Sequence, residues 1–369
     1  MYKLIGEEEA IFSWAATNFI MGTLLPQQQQ QQQISKLENY AYPTNETYGT
    51  LDLGGASTQI AYYVPSQDIM EGLYKFQLGG QKQWNVYTKS FLQFGIDSAR
   101  QRHLTALVDN FIINNLNNQK FKYKDIVKTS INPCFHTGYS EMITDSTKSF
   151  SLNIKGPEIS QNNQFHLCIS ILKPLLEKQS NNVILCDKTT NSDCSKTNLN
   201  TYQPSSFLTS ESHHRAFIGS STSFMLLKKF LQINEISTLN DWKEKGNMIC
   251  KMTIDKLHSY YEMNSFAKDE SHQEFLENLP NFCFLVSYII VLLQDGYQFP
   301  SDQKIMIIDQ YNGNKVGWAL GAILYEINEL PWQIDDTLSK SYSWGLIMLV
   351  AFIGKDNSDD IFYYFHSVF

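Results

Sequence analysis

One short segment of the sequence combines the residue types that suit the binding of a phosphate group. It consists of Asp52, Leu53, Gly54, Gly55, Ala56, Ser57, Thr58 and Gln59. The two adjacent glycines let a ligand approach the backbone and permit the positive φ with which successive N–H groups form an anion-binding nest. The hydroxyls add donors, the glutamine can orient a water molecule, and the aspartate can hold a hydrated cation. An ordinary hairpin turn explains the same segment equally well.

A second candidate is the acidic run Glu7-Glu8-Glu9. A carboxylate in the first turn of a helix is held by a rigid element and kept ionised by the helix dipole, which suits a general base that takes a proton from water. Three acids that merely stabilise a helix N-terminus are the commoner arrangement. Trp318, in Gly317-Trp318-Ala319-Leu320-Gly321, is interpreted as a core residue unless its context indicates a site.

The elements that must position these residues follow from hydrophobic periodicity and turn residues. Strands are predicted at 48–53 and 59–64, on either side of the glycine turn. Helical patterns cover 7–25, 86–118, 213–232, 250–262 and 316–327, and an apolar run covers 282–293. Residues 140–205 are rich in Asn, Ser, Lys and Thr, and we expect them to be irregular. Gln27–Gln33 is a glutamine run, interpreted as a tolerated loop insertion.

The amino-acid composition limits the partners that the protein can bind and the cellular compartment in which we expect it. The 369 residues carry a net charge of −8, which argues against binding to nucleic acid because phosphate-backbone contacts require basic residues. Six cysteines, at positions 134, 168, 186, 194, 250 and 283, allow fifteen pairings and lack the close pairs of a zinc site. Sequential pairing would close three local loops and would favour an oxidising compartment. No signal peptide is visible at the N-terminus, and we interpret this as a chain that starts late.

The motifs in their order resemble those of the apyrase, or ectonucleoside triphosphate diphosphohydrolase, family. The matching stretches are Gly6-Glu7-Glu8-Glu9-Ala10, Leu51–Ile60, Tyr87–Phe91, Asn132-Pro133-Cys134, Ala216-Phe217, Leu279–Cys283 and Gly317–Gly321. The resemblance covers roughly residues 1–340. It implies an α/β, actin-like (ribonuclease H-like) fold and extracytoplasmic hydrolysis of nucleoside tri- and diphosphates that depends on Ca²⁺ or Mg²⁺.

Each site role is carried over by position. Glu9 corresponds to the general base, Asp52 to the carboxylate that holds the metal through water, and Gln59 to a residue that places the nucleophilic water. The residues that correspond to the second phosphate loop are Gly54, Gly55, Ala56, Ser57 and Thr58, and Trp318 corresponds to a tryptophan near the metal and phosphates. Cys134, Cys168, Cys186, Cys194, Cys250 and Cys283 fit the largely sequential disulfides of the family.

The same resemblance implies the domain organisation. Residues 1–305 would form the second actin-like lobe, with the insertion at 27–33 and the disulfide-bearing region at 140–205. Residues 306–338 would return to a first lobe that is mostly missing, and residues 339–369 would form an apolar tail. Trp344–Gly354 lies where membrane-anchored members begin their last helix, but eleven helical residues span only about 17 Å of a ~30 Å core. Membrane anchoring and oligomeric state are therefore left open.

The departures from the family pattern concern activity and base recognition. The first phosphate loop, of the Asp-Ala-Gly-Ser type, does not occur in the chain, and Thr222 stands where an aromatic stacks on the nucleobase in many members. Because loss of one donor to the transferred phosphate commonly costs ~10²–10³ in rate, we expect the chain as written to be inactive. Two alternatives remain: a non-catalytic extracytoplasmic protein of the same fold, and an exopolyphosphatase-like phosphohydrolase.

Overall fold

A computed structural model describes residues 6–24, 47–65, 72–78, 83–116, 128–145, 150–159, 162–176, 216–263, 277–311 and 313–329. Its α-helices are α1 (Gly6–Ile20), α2 (Ile96–Leu116), α3 (Gln164–Leu172), α4 (Thr222–Leu231), α5 (Leu239–Cys250), α6 (Ile254–Met263), α7 (Phe282–Val291) and α8 (Trp318–Glu329). Its strands are β1 (Gly49–Leu53), β2 (Ser57–Tyr63), β3 (Leu73–Gln77), β4 (Gln83–Leu92), β5 (Lys128–Ile131), β6 (Ser140–Asp145), β7 (Phe150–Lys155), β8 (Phe217–Gly219), β9 (Ile236–Thr238), β10 (Lys304–Ile307), β11 (Gln310–Tyr311) and β12 (Asn314–Lys315). The fold is therefore mixed α/β.

The chain divides into two compact units, each assembled from separate segments of the sequence. Unit 1 comprises Met1–Leu92, Arg215–Met225 and Lys304–Phe369, and unit 2 comprises Gln93–His214 and Leu226–Gln303. The predicted assignment of residues 1–305, 306–338 and 339–369 to actin-like lobes and a tail stays a prediction.

The sheet of unit 1 has the strand order β3-β4-β2-β1-β8-β10. The pairs from β3 to β1 are antiparallel, whereas β1, β8 and β10 run parallel to one another. Helix α1 packs on β1, β2 and β4 and against α8. The predicted strand, tight turn and strand around the two glycines are confirmed by β1 and β2.

Helix α1 is a core helix rather than an amphipathic surface helix. Every residue from Ala10 to Asn18 is buried, the pattern of a helix that is enclosed on all sides. Its first turn carries Glu7, Glu8 and Glu9. Their negative charges interact favourably with the positive end of the helix dipole. The helix ends at Ile20 rather than at the predicted residue 25, because Gly22 adopts a φ of 76° that ends the helix.

The buried side chain of Asn18 joins the end of α1 to the start of β1. Its Nδ2 donates to the carbonyl oxygens of Trp14 at 2.9 Å and Tyr48 at 3.0 Å. Its Oδ1 accepts the N–H of Tyr48 at 2.8 Å and the hydroxyl of Thr23 at 2.7 Å. One side chain therefore fixes the two ends of the connection between Leu24 and Thr47, which includes the glutamine run. The run itself lies outside the described residues, as does Asn45, the first residue of the glycosylation sequon Asn45-Glu46-Thr47.

Unit 2 contains a three-stranded sheet of order β5-β7-β6 covered by α2. Helices α3, α5 and α7 pack on one another beside it. Two of the sequential disulfides are present, Cys134–Cys168 and Cys250–Cys283. The first joins α3 to the loop after β5, and the second joins the end of α5 to α7. Cys186 and Cys194 lie outside the described residues.

Three predictions of secondary structure were wrong. The segment 213–232 is not one helix, because β8 occupies Phe217–Gly219 and α4 begins only at Thr222. Residues 86–118 do not form one helix, because β4 continues to Leu92 and α2 begins only at Ile96. Trp84, Val86 and Thr88 are buried at every second position, which is the period of a strand. The region 140–205 is not irregular throughout, since it contains β6, β7 and α3. The Ser and Thr residues of β6 and β7 are tolerated because one face of this sheet is exposed.

One described stretch, Leu279–Gly296, is long and apolar enough by composition to cross a membrane. Most of it is buried inside unit 2, and every residue of α7 is buried. A core helix of a water-soluble unit has these same properties. The apolar tail at 344–354 lies outside the described residues.

Candidate active site

The β1–β2 hairpin places the side chains of Asp52 and Gln59 side by side. The two residues are directly opposite each other in the antiparallel register, so both project from the same face of the sheet. The turn is closed by a hydrogen bond from the N–H of Gly54 to the carbonyl oxygen of Ser57 at 3.0 Å. The hydroxyl of Thr58 donates to the carbonyl oxygen of Asp52 at 2.7 Å. The hairpin is therefore held by bonds that leave the Asp52 carboxylate and the Gln59 amide available to other partners.

The glycines of this turn do not have the conformation of an anion-binding nest. Among the described glycines, positive φ occurs at Gly22, Gly72, Gly138 and Gly313, and not at Gly54 or Gly55. An ideal Cβ at Gly54 would meet only the carbonyl oxygen of Ser57, at 3.5 Å, which is an ordinary contact. The fold does not require glycine there on steric grounds. What the small residues provide is an open turn, with Gly54 and Ala56 exposed.

The Gln59 side chain connects helix α1 to the hairpin. Gln59 is buried, with 3% of its surface exposed, and its Nε2 donates to Glu9 Oε2 at 3.1 Å and to Ser57 Oγ at 2.9 Å. An ionised carboxylate only accepts hydrogen bonds, so Glu9 dictates that the amide nitrogen faces it. Gln59 Oε1 is then the atom left to accept a hydrogen bond from a ligand or water. The three residues form one chain from helix to turn.

Two carboxyl groups interact at this site. Burial and, after it, the negative charge of Glu9 raise the pKa of Asp52 to about 6, and a hydrogen bond from the N–H of Leu53 opposes this rise. Burial also raises the pKa of Glu9. Both carboxylates are therefore costlier to ionise than in water, and a nearby cation would stabilise their charged forms.

The donor set suits a hydrated oxygen-ligated cation rather than a protein-enclosed metal. Within the described ranges there is no group of three or more His, Cys, Asp or Glu side chains that could hold a metal ion. Asp52, Glu9 and Ser57 offer hard oxygen donors, which are the ligands of Ca²⁺ and Mg²⁺. Mg²⁺ in particular is usually bound by one or two carboxylates, several waters and the phosphates of a substrate. The residues present fit such an ion.

Trp318, the first residue of α8, is half-buried and packs against the apolar cluster around α1. This cluster includes Ile11 and Phe12, which follow Glu9 in the same helix. These contacts agree with the interpretation of Trp318 as a residue that packs in the core. Trp318 thus packs against the helix that carries Glu9, and its contact with phosphate or metal stays a prediction.

Two serines beside the site were not singled out as site residues from the sequence. Ser90 in β4 is directly opposite Gln59, and Ser221 accepts the N–H of Leu53 through its Oγ at 3.2 Å. The spacing of residues along the sequence does not indicate that either serine lies beside the site, because this depends on which strands are neighbours in the sheet. Ser221 follows β8, whose parallel pairing with β1 brings the ends of the two strands together.

The sequence is similar to a known protein family and to several named proteins. The model of the GDA1/CD39 (nucleoside phosphatase) family matches residues 3–341. Ectonucleoside triphosphate diphosphohydrolase 1 of Bos taurus is 27% identical over 363 residues, which is 94% of this chain and 62% of that protein. Ectonucleoside triphosphate diphosphohydrolase 7 of Pongo abelii is 27% identical over 88% of this chain and 52% of its own length. A guanosine-diphosphatase of Schizosaccharomyces pombe is 25% identical over 88% of this chain and 53% of its length.

The chain thus spans between half and two thirds of the length of these relatives. Among solved structures, that of nucleoside triphosphate hydrolases from Neospora caninum matches with a TM-score of 0.49 and 14% identity, over 88% of this chain and 64% of that one. The Aquifex aeolicus PPX-GPPA enzyme matches with a TM-score of 0.22 and 7% identity, over 75% of this chain and 98% of that one.

Proposed function

This chain belongs to the GDA1/CD39 (nucleoside phosphatase) family, and from that premise we propose that it carries the general base and one phosphate-binding loop of a hydrolase of nucleoside tri- and diphosphates. The observation that carries the proposal is the hydrogen-bonded chain Glu9–Gln59–Ser57 with Asp52 beside it. The site joins a base, a water-orienting amide and a hydroxyl donor in one compact arrangement. These are the parts that phosphoryl transfer to water requires.

In the proposed reaction Glu9 accepts a proton from a water molecule while the water oxygen attacks the terminal phosphorus. The bond between that phosphorus and the bridging oxygen breaks, and the products are inorganic phosphate and a nucleotide shorter by one phosphate. Gln59 holds the water through its Oε1, since its Nε2 is occupied by Glu9 and Ser57. A raised pKa makes Glu9 a stronger base than an exposed glutamate.

The turn residues have a separate role. The Ser57 hydroxyl and the N–H groups of Gly55 and Ala56 donate to the phosphate oxygens, and the exposed small side chains leave room for them. Asp52 would hold a Ca²⁺ or Mg²⁺ ion through a water molecule, and this ion neutralises charge on the phosphates. Donors that are fixed before the reaction act on the charge of the transition state without reorganisation.

We also propose that the protein is extracytoplasmic. Both described disulfides, Cys134–Cys168 and Cys250–Cys283, join separate elements of unit 2, and structural disulfides form and persist in oxidising compartments. The cell surface, the secretory lumen and the medium all meet this requirement.

The test is phosphate release by the protein expressed from its complete gene in a secretory host, with Mg²⁺ or Ca²⁺. ATP, ADP, GDP and inorganic polyphosphate are compared as substrates. Glu9→Gln should lower kcat by about 10²–10⁴-fold because it removes the general base, while nucleotide binding stays within a few-fold. Glu8→Gln is the matched control, since it removes one charge from the same helical turn and should leave kcat unchanged.

Several outcomes oppose the proposal. Equal activity of Glu9→Gln and wild type would reduce Glu9 to an acid that stabilises a helix start. Turnover of polyphosphate in preference to nucleotides would favour an exopolyphosphatase-like enzyme. An absence of turnover together with nucleotide-dependent thermal stabilisation would favour a non-catalytic nucleotide-binding protein.

A further inference from the structure

Helix α1 begins in contact with strand β4, and the contact leaves no room for a side chain at Gly6. An ideal Cβ at Gly6 would lie 2.1 Å from Ser90 Oγ, 2.6 Å from Ser90 Cβ and 3.7 Å from Gln59 Nε2. Real Cβ atoms essentially never come closer than 3.0 Å to another heavy atom. Gly6 does not have a positive φ, so glycine is required there for space alone.

The sheet register connects this contact to the candidate active site. Ser90 and Gln59 are directly opposite each other on β4 and β2, so their side chains project from the same face, the face that α1 covers. On α1, Gly6 and Glu9 are three residues apart and lie on the same side of the helix. Two adjacent contacts therefore join α1 to the sheet: Gly6 touches Ser90, and Glu9 accepts the hydrogen bond from Gln59.

The two contacts differ in what they tolerate. The hydrogen bond between Gln59 and Glu9, at 3.1 Å, is lost if its atoms separate beyond about 3.5 Å. The contact between Gly6 and Ser90 is a steric stop made by a backbone carbon and a short side chain. A steric stop one turn from Glu9 sets how close the first turn of α1 comes to β2 and β4.

We propose that Ser90, paired with Gly6, is a positioning residue that sets the distance between Glu9 and Gln59. This inference rests on the proposed function and deepens it, because it assigns a further residue to the same site. Ser90 acts through its size: a larger side chain would push the start of α1 away from the sheet, and its hydroxyl takes no part in the chemistry.

The first test enlarges one side of the contact. The Ser90 hydroxyl can rotate away from the new methyl group, but Ser90 Cβ cannot, so Gly6→Ala must move α1 or β4 by at least about 0.4 Å, from 2.6 Å to 3.0 Å. Added to the 3.1 Å between Gln59 Nε2 and Glu9 Oε2, this shift stretches the hydrogen bond to about its limit of 3.5 Å. A misplacement of about 1 Å costs about 10²-fold in rate. For the smaller shift of about 0.4 Å we expect kcat to fall by about tenfold, while the KM for the nucleotide changes less than threefold because the turn residues stay in place.

The second test restores the space from the other side. In Gly6→Ala/Ser90→Gly both close contacts are gone, and kcat should recover to within about twofold of wild type. In Gly6→Ala/Ser90→Ala the Cβ of residue 90 remains, 2.6 Å from the new methyl group, so recovery should be small.

The outcomes separate the inference from the proposed function. Full activity of Gly6→Ala, or no recovery in the double variant with glycine, would each overturn the positioning role. Failure of Gly6→Ala to fold would still leave the two double variants to compare. If the wild-type protein hydrolyses no nucleotide, the proposed function fails, and a crystal structure of Gly6→Ala decides the inference. A Glu9–Gln59 separation of about 3.5 Å or more supports it, and an unchanged 3.1 Å bond refutes it.

Discussion

The glycine pair that flanks the start of α8 allows a sharp test of how α1 is held in place. Gly317 and Gly321 belong to the same short motif, yet their surroundings differ completely. An ideal Cβ at Gly321 would lie 1.7 Å from the carbonyl oxygen of Phe12 and 2.4 Å from its carbonyl carbon, whereas a Cβ at Gly317 would meet nothing within 4 Å. Only Gly321 is a point of close approach between helices.

The magnitude follows from these distances. Gly321→Ala requires α1 and α8 to separate by at least about 1.3 Å, because the oxygen must move from 1.7 Å to 3.0 Å. Both partners are helix backbone, so no side chain can rotate away. Overpacking of this kind costs about 3 kcal/mol, and the better helix propensity of alanine returns about 1 kcal/mol. The net loss of about 2 kcal/mol should lower Tm by about 4–8 °C.

Gly317→Ala is the matched control. The substitution adds the same methyl group four residues earlier, in open space, so the free energy of unfolding should change by less than about 0.5 kcal/mol. Thermal unfolding of the disulfide-intact protein, followed by circular dichroism, measures both variants. Equal Tm values for Gly321→Ala and Gly317→Ala would refute the argument that Gly321 is kept small by Phe12.

Two further predictions concern unit 2. Removing Cys134–Cys168, which closes a loop of 34 residues, should cost about 3.7 kcal/mol on the chain-entropy model, measured by chemical denaturation of the Cys134→Ala/Cys168→Ala variant; an unchanged midpoint would contradict it. Burial lowers the pKa of His103 and of His136 to about 4, so the unfolded chain binds protons from pH 6.5 downward while the folded unit does not. Stability should therefore fall between pH 6.5 and 4 by about 1.4 kcal/mol per pH unit for each histidine, and His103→Gln should reduce that slope.

Local patterns in the sequence were sufficient for the parts of the fold that depend on neighbours along the chain. The acids at the start of α1 and the glycine turn between β1 and β2 are short-range signals, and both elements are present. The end of β4 and the start of α2 within residues 86–118 were not predicted. The strand residues Trp84, Val86 and Thr88, buried at every second position, lie only a few residues before the helix. Burial within a sheet, and not local propensity, decides such cases.

The contacts of the candidate site were predictable only in part. The residue types at Glu9, Asp52, Ser57 and Gln59 suggested their chemistry, and the family resemblance suggested their roles. That Glu9 and Gln59 are hydrogen-bonded, and that Ser90 faces Gly6, follows from the pairing of β2 with β4 and the packing of α1 on both. Strand pairing between distant segments is not encoded in any short window.

The Asn18 side chain has a consequence for variation among genes of this kind. Because its amide holds both ends of the connection that contains Gln27–Gln33, changes in repeat number there are not transmitted to the strand that leads to Asp52. Variants of this protein that differ only in the number of glutamines at this point should therefore keep a similar kcat.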